Sequence, residues 1–227
     1  MLYTEENVKA AVRTQDGRRV FWMKEGDRLT PSARDWLQSE RIPIETRKKT
    51  YTTLFGGEFT EKPEELTHLS GNLLVPKTHP RIAFRGQIDA LEAELLLCQH
   101  ALREKASLVA ALQEMLDLVR SLIRADVLEE PVAPVQLCGL SDAELREHSH
   151  FPDKYYGQPH FLPAYTDGEA VLRLNRLRTK VRETELSCCR AFADADGKLR
   201  RVDILQALNR LSSLCWILMI RCKAGKE

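Results

Sequence analysis

From Leu66 onward, apolar positions recur at helical spacing, and that pattern organises the rest of the chain. Leu108, Leu112, Met115, Val119 and Leu122 fall at i, i+4, i+7, i+11 and i+14, predicting a core-facing helix from Ser107 to about Asp126. Pro80 opens an earlier helix to about Arg103, with Ile88, Leu91, Leu95 and Leu96 on its apolar face. Asp89 falls beside Ile88 and Leu91 and is expected to be partly buried, where a carboxylate needs an arginine partner. In the next long helix, Ala170, Leu174, Leu177, Val181 and Cys188 form an apolar stripe. At about 100° per residue, Asn175, Arg178, Arg182, Glu185 and Cys189 share the face beside it. A last helix, from about Arg201 to Cys222, is apolar on all sides in its second half, which includes Trp216. That predicts a central or interfacial position. Asn209 and Ser212 interrupt it, and a buried Asn needs hydrogen-bond partners.

The N-terminal pattern is different. Thr4 suits the cap of a short helix with Glu5 and Glu6 in its first turn. Val20 to Met23 reads as a strand and Glu25-Gly26-Asp27 as its turn. Thr30-Pro31 opens a helix to about Leu37, and Ile42-Pro43-Ile44 reads as an edge strand. Residues 1–45 therefore form a small α+β appendage, 46–65 a linker, 66–222 a helical bundle and 223–227 a disordered tail. Between linker and bundle, Thr67 to Asn72 reads as a polar loop leading to Lys77. Its backbone N–H groups, hydroxyls and lysine suit a phosphate chain, although the spacing is not that of a Walker A loop. Ser141 and Glu144 have capping-box spacing. His148 to Tyr165 reads as a long aromatic-rich loop of the kind that covers a ligand or partner. Its three histidines, His148, His150 and His160, lack an acidic or Cys partner at zinc-site spacing.

Composition narrows the choice of function. A net charge of +1 with 30% charged residues marks neither a nucleic-acid nor a membrane binder. The apolar run Leu214 to Ile220 is far short of the roughly 20 residues a span needs. Six cysteines without a secretory leader read as free thiols of a cytoplasmic protein. The local charges of most interest are Arg178 and Arg182. One reading is a surface pair of Arg182 with Glu185. The other is an anion site, because two arginines at the edge of a core face are costly to desolvate unless an anion meets them.

Ordered segments decide between these readings. Thr67-x-Leu69, Val75-Pro76-Lys77-x-x-Pro80-Arg81, Gly86 and Asp89 resemble the nucleotide loop and first bundle helix of the PduO-like cob(I)alamin adenosyltransferases. Arg124-Ala125-Asp126, Gly139 to Asp142, Leu177 to Glu185 and Asp203 to Ser213 are similar to segments of the ethanolamine-utilisation branch, EutT. The resemblance covers roughly Leu66 to Ile220, with a looser match over Leu29 to Arg34. It implies a mainly α fold, a bundle of four to five helices assembled as a homo-oligomer, with a trimer favoured over a dimer and ATP held between subunits. It further implies that Thr67, Ser70, Lys77, Arg178, Arg182 and Asn209 hold the triphosphate with Mg²⁺, that Asp89 pairs with Arg178, and that Glu185 orders the network. Phe161-Leu162-Pro163 resembles the loop beneath the corrinoid, with Phe161 keeping the lower axial ligand off cobalt. The implied reaction transfers the 5′-deoxyadenosyl group of ATP to reduced cobalamin. Ethanolamine ammonia-lyase and a bacterial microcompartment are the implied partners. A non-catalytic ATP- or corrinoid-binding bundle is the rival reading. The chain departs from the branch at 46–65, which has none of the His and Cys-Cys-x-x-Cys metal ligands many of its members carry. No protein-held metal of that kind is expected.

Overall fold

In the computed structural model, which describes residues 1–15, 17–47 and 50–227, β1 (Leu2–Tyr3) ends where Thr4 caps α1 (Glu5–Ala11). Thr4 and Asn7 form a reciprocal capping box, satisfying backbone donors that the first helical turn leaves open. The hairpin of β2 (Arg13–Gln15) and β3 (Arg18–Lys24) follows. Gly26, at φ +86°, turns the chain into β4 (Arg28–Leu29), which runs parallel to β1. Thr30 caps α2 (Pro31–Ser39), and β5 (Ile44–Arg47) returns as the edge strand, parallel to β3. Val8, Phe21, Ala33, Leu37 and Ile42 form the core of this part, with Tyr3 and Trp36 packed on it.

The stretch 46–65, expected as a linker, carries β6 (Tyr51–Thr53) and β7 (Glu58–Phe59), paired antiparallel. The Thr53 hydroxyl accepts from the Gly57 N–H at 3.1 Å, and Gly56 at φ +83° closes the turn. Lys48 and Lys49 lie outside the described residues. The polar loop expected at 67–72 is also ordered differently, as β8 (Leu66–Ser70), a turn at Gly71 and β9 (Leu73–Pro76). The sheet order is β7-β6-β9-β8, so part of the backbone expected to face a phosphate is committed to strand pairing. The chain divides into two compact units between Val75 and Pro76, ten residues after the boundary that the pattern suggested.

The second unit, Pro76–Glu227, is helical. Pro80 starts α3 (Pro80–Ala101), and α4 (Ala106–Val127) returns along it. All five positions of the α4 stripe, Leu108 to Leu122, are buried as expected. A short hairpin, β10 (Gln136–Leu137) and β11 (Leu140–Ser141), leads to α5 (Asp142–His150), begun by the Ser141–Glu144 capping box. The stretch expected as one loop, 148–165, contains the end of α5 and all of α6 (Pro152–Tyr156). Apart from Phe151, the irregular part is 157–164, before a single 3-10 turn at Tyr165–Asp167. Then come α7 (Glu169–Phe192) and α8 (Val202–Lys223). Helix α7 is central, packed on α3 by one side and on α8 by another, through Leu174, Leu177, Val181 and Cys188. The tail expected to be disordered is tied back, with Glu227 bonded to Ser107 and paired with Arg221.

Buried charge braces the second unit. Asp126, fully buried, accepts from Arg81 Nε at 2.9 Å and Arg85 Nε at 2.6 Å, clamping the start of α3 to the end of α4. Arg201 forks onto Asp203, with both contacts at 2.9 Å. Arg210, buried on α8, holds Asp142 of α5 at 2.8 Å.

Candidate functional site

The α7 surface that faces α8 contains two arginines unlike these. Arg178 is half-buried and Arg182 exposed, one turn apart. Among the described residues, no carboxylate lies within 4.0 Å of either guanidinium in an ion pair. The surface pair of Arg182 with Glu185 does not form. Glu185 instead accepts from Asn209 Nδ2 of α8 at 2.7 Å. Burial pushes the Arg178 pKa below its ordinary value, and the like charge of Arg182 pushes the same way. Burial raises the Glu185 pKa, with the Arg182 charge opposing the shift. Asn209 is exposed rather than buried, because α8 turns this position toward the open rim of the α7–α8 seam. The group has cationic donors, an amide and one desolvated carboxylate, with charge left unneutralised. Such a set suits a polyanion.

Below the pair stands a residue to which the sequence assigned only packing. The Arg178 guanidinium lies over the Trp216 ring, 5.2 Å from its centroid. The same ring meets the irregular segment 157–164. Phe161 stacks on it at 5.2 Å and 23°, and His160 lies nearly parallel at 5.7 Å and 14°. Trp216 Nε1 donates to His160 Nδ1 at 3.2 Å. Trp216 thus joins the basic pair to the aromatic segment. An all-apolar helix turn hides such a role, because in sequence an interfacial Trp looks like any core aromatic.

The other expected site residues stand on other elements. Asp89 is exposed on α3 rather than partly buried, and no hydrogen bond or ion pair joins it to Arg178 within one chain. Helix α3 meets α7 elsewhere, where Gln87 accepts from Lys180 at 3.0 Å. Thr67 and Ser70, both half-buried, belong to β8 of the first unit, and Lys77 is exposed just after β9. Pro163 is half-buried beside Phe161, while Leu162 is 92% exposed. Among the described residues no group of three His, Cys, Asp or Glu side chains converges as a metal cluster would, and no helix is long and apolar enough to cross a membrane.

The fold is a helical bundle that carries a basic pair on α7, and the relatives of the chain place it in a family. The family model for cobalamin adenosyltransferase matches residues 58–222. A corrinoid adenosyltransferase EutT of Salmonella typhimurium is 34% identical over 220 residues, spanning 85% of this chain and 82% of the relative. The corrinoid adenosyltransferase EutT of Escherichia coli is 32% identical over 244 residues, spanning 96% of this chain and 90% of the relative. The chain belongs to the cobalamin adenosyltransferase family.

Proposed function

We propose that this protein transfers the 5′-deoxyadenosyl group of ATP to reduced cobalamin, making adenosylcobalamin. In that reaction cobalt(I) attacks C5′, the cobalt–carbon bond forms, and the C5′–oxygen bond breaks with its electron pair leaving on the polyphosphate. Cobalt(I) is itself a strong nucleophile, so the protein needs no catalytic base. Its work is alignment, worth up to several kcal/mol, and stabilisation of the leaving polyphosphate. The observation that carries the reading is the Arg178–Arg182 pair, the first half-buried and the second exposed, with no carboxylate in an ion pair with either among the described residues.

In this reading Arg178, Arg182 and Asn209 hold the triphosphate, which brings Mg²⁺ with it, and Glu185 fixes the Asn209 amide. The resemblance adds Thr67 and Ser70 of the first unit, and Lys77 of the second, as further candidates for contact with the nucleotide. Asp89, exposed on one copy, pairs with Arg178 of a neighbouring copy in a homo-oligomer, a trimer before a dimer. Phe161, with Leu162 and Pro163, forms the floor beneath the corrinoid, where an apolar side chain displaces the lower ligand and makes cobalt(II) easier to reduce. By analogy with the EutT relatives, the product serves ethanolamine ammonia-lyase in the cytoplasm, in association with a microcompartment.

The test is an anaerobic assay with ATP, Mg²⁺ and chemically reduced cobalamin, following conversion of cob(I)alamin to adenosylcobalamin by absorbance. The wild type turns over and Arg182→Ala does not, while its helices stay folded by circular dichroism. Wild-type-like adenosylation by Arg182→Ala would sink the assignment of the clamp. ATP binding by the wild type without the colour change would favour a sensor or carrier.

A further inference from the structure

The imidazole of His160 has both nitrogens engaged. Its Nε2 lies 3.2 Å from the His150 carbonyl oxygen, which can only accept, so the proton sits on Nε2. Its Nδ1 is then the acceptor for the Trp216 indole N–H at 3.2 Å. This neutral tautomer is the one form that satisfies both contacts. The ring therefore ties the end of α5 to α8 across a segment that has no secondary structure of its own. Phe161 is the next residue, held between the Trp216 ring and Lys223, whose Nζ lies 5.5 Å from the Phe161 centroid. Lys223 is in turn paired with Asp167, and Lys226 donates to the Tyr156 carbonyl at 2.8 Å. The two ends of the segment are thus pinned to the end of α8, and its middle is held there through His160 and Phe161.

We propose that His160 is a positioning residue that sets where Phe161 stands, through its hydrogen bond to Trp216. The inference rests on the reading of Phe161 as the corrinoid's lower neighbour. An aromatic stack alone leaves a ring free to slide, because dispersion contacts are weakly directional. The hydrogen bond from the indole N–H fixes the backbone at 160 relative to α8, and so fixes the register of the ring at 161. Its consequence falls on one step. Placement of Phe161 matters when cobalt(II) must lose its lower ligand before reduction, and much less when cobalt(I) is supplied ready-made.

The experiment measures adenosylation at saturating ATP and Mg²⁺ from two starting states: cob(II)alamin with a reduced flavin as electron donor, and cob(I)alamin pre-reduced with borohydride. His160→Ala is expected to lower the first rate about tenfold, the equivalent of one hydrogen bond, and to leave the second within about twofold of wild type. His160→Asn, whose side-chain oxygen can take the indole N–H, recovers most of the first rate. Trp216→Phe, which keeps a ring and removes the donor, lowers the first rate by a similar factor. Equal losses in both rates, or no loss in either, would overturn the role of His160. So would failure of His160→Asn to exceed His160→Ala. Phe161→Ala separates the two ideas. A loss there with none in His160→Ala sinks the positioning role alone. A cob(II)alamin rate untouched by Phe161→Ala sinks the reading of Phe161, and this inference with it.

Discussion

Replacing Arg178 by methionine tests whether the basic pair is a binding device or part of the scaffold. Methionine keeps most of the apolar stem and removes the charged guanidinium that lies over Trp216. In the nucleotide-free protein the charge contributes little. Its contact with the Trp216 ring at 5.2 Å is worth about 0.5–2 kcal/mol. Against that stand the desolvation of a half-buried guanidinium and repulsion from Arg182, the two causes that depress its pKa. These terms oppose each other, so unfolding free energy should change by no more than about 1 kcal/mol in either direction. With ATP bound the balance changes, because a charge-assisted hydrogen bond to phosphate is worth about 1.5–3 kcal/mol, or a factor of about 10–150 in affinity. The assays are denaturant unfolding without nucleotide and calorimetric titration with Mg-ATP. A loss of about 2 kcal/mol or more in stability, with ATP affinity intact, would refute the reasoning and make Arg178 a structural residue.

The braced arginines should behave in the opposite way. Asp126→Asn removes the fully buried charge that Arg81 and Arg85 share, leaving Glu129 at 3.4 Å from Arg81, so unfolding free energy should fall by about 3 kcal/mol in a denaturant titration. The Asp203 carboxyl is held down at about 2, first by the fork from Arg201 and then by the N–H groups of Val132 and Ile204. A depressed carboxyl contributes stability above its unfolded value and loses it as pH falls through the folded one. Asp203→Asn should therefore cost about 2 kcal/mol at neutral pH, and the gap to wild type should close between about pH 4 and pH 2 in acid unfolding curves. Ser141→Ala removes the α5 cap, whose hydroxyl accepts from the Glu144 N–H, and should lower stability by about 1 kcal/mol in thermal unfolding.

The sequence by itself determined the long helices and several of their caps. Periodicity places the buried stripes of α4 and α7 because a helix commits every third or fourth residue to one side, whatever it packs against. Caps at Thr4, Thr30 and Ser141 are legible for a similar reason, since a cap is an interaction between residues three apart. It also placed Arg178, Arg182 and Glu185 on one face of α7. What tertiary structure alone decided is what that face meets. Whether Arg182 pairs with Glu185 depends on α8 delivering Asn209 to the carboxylate first. Whether Asn209 is buried depends on how α8 rolls against α7, and it rolls outward. The strands at 51–59 and 66–76 leave little trace in the sequence, because β6 pairs with β9 some twenty residues on and short polar strands such as Tyr51–Thr53 show no alternation of their own. The pattern places Trp216 centrally or at an interface, and only the meeting of α7, α8 and the segment at 157–164 gives its ring an arginine, a histidine and a phenylalanine as neighbours. Contacts between residues 38 and 56 positions apart leave no spacing to read along the chain, because loop geometry and packing choose the partners.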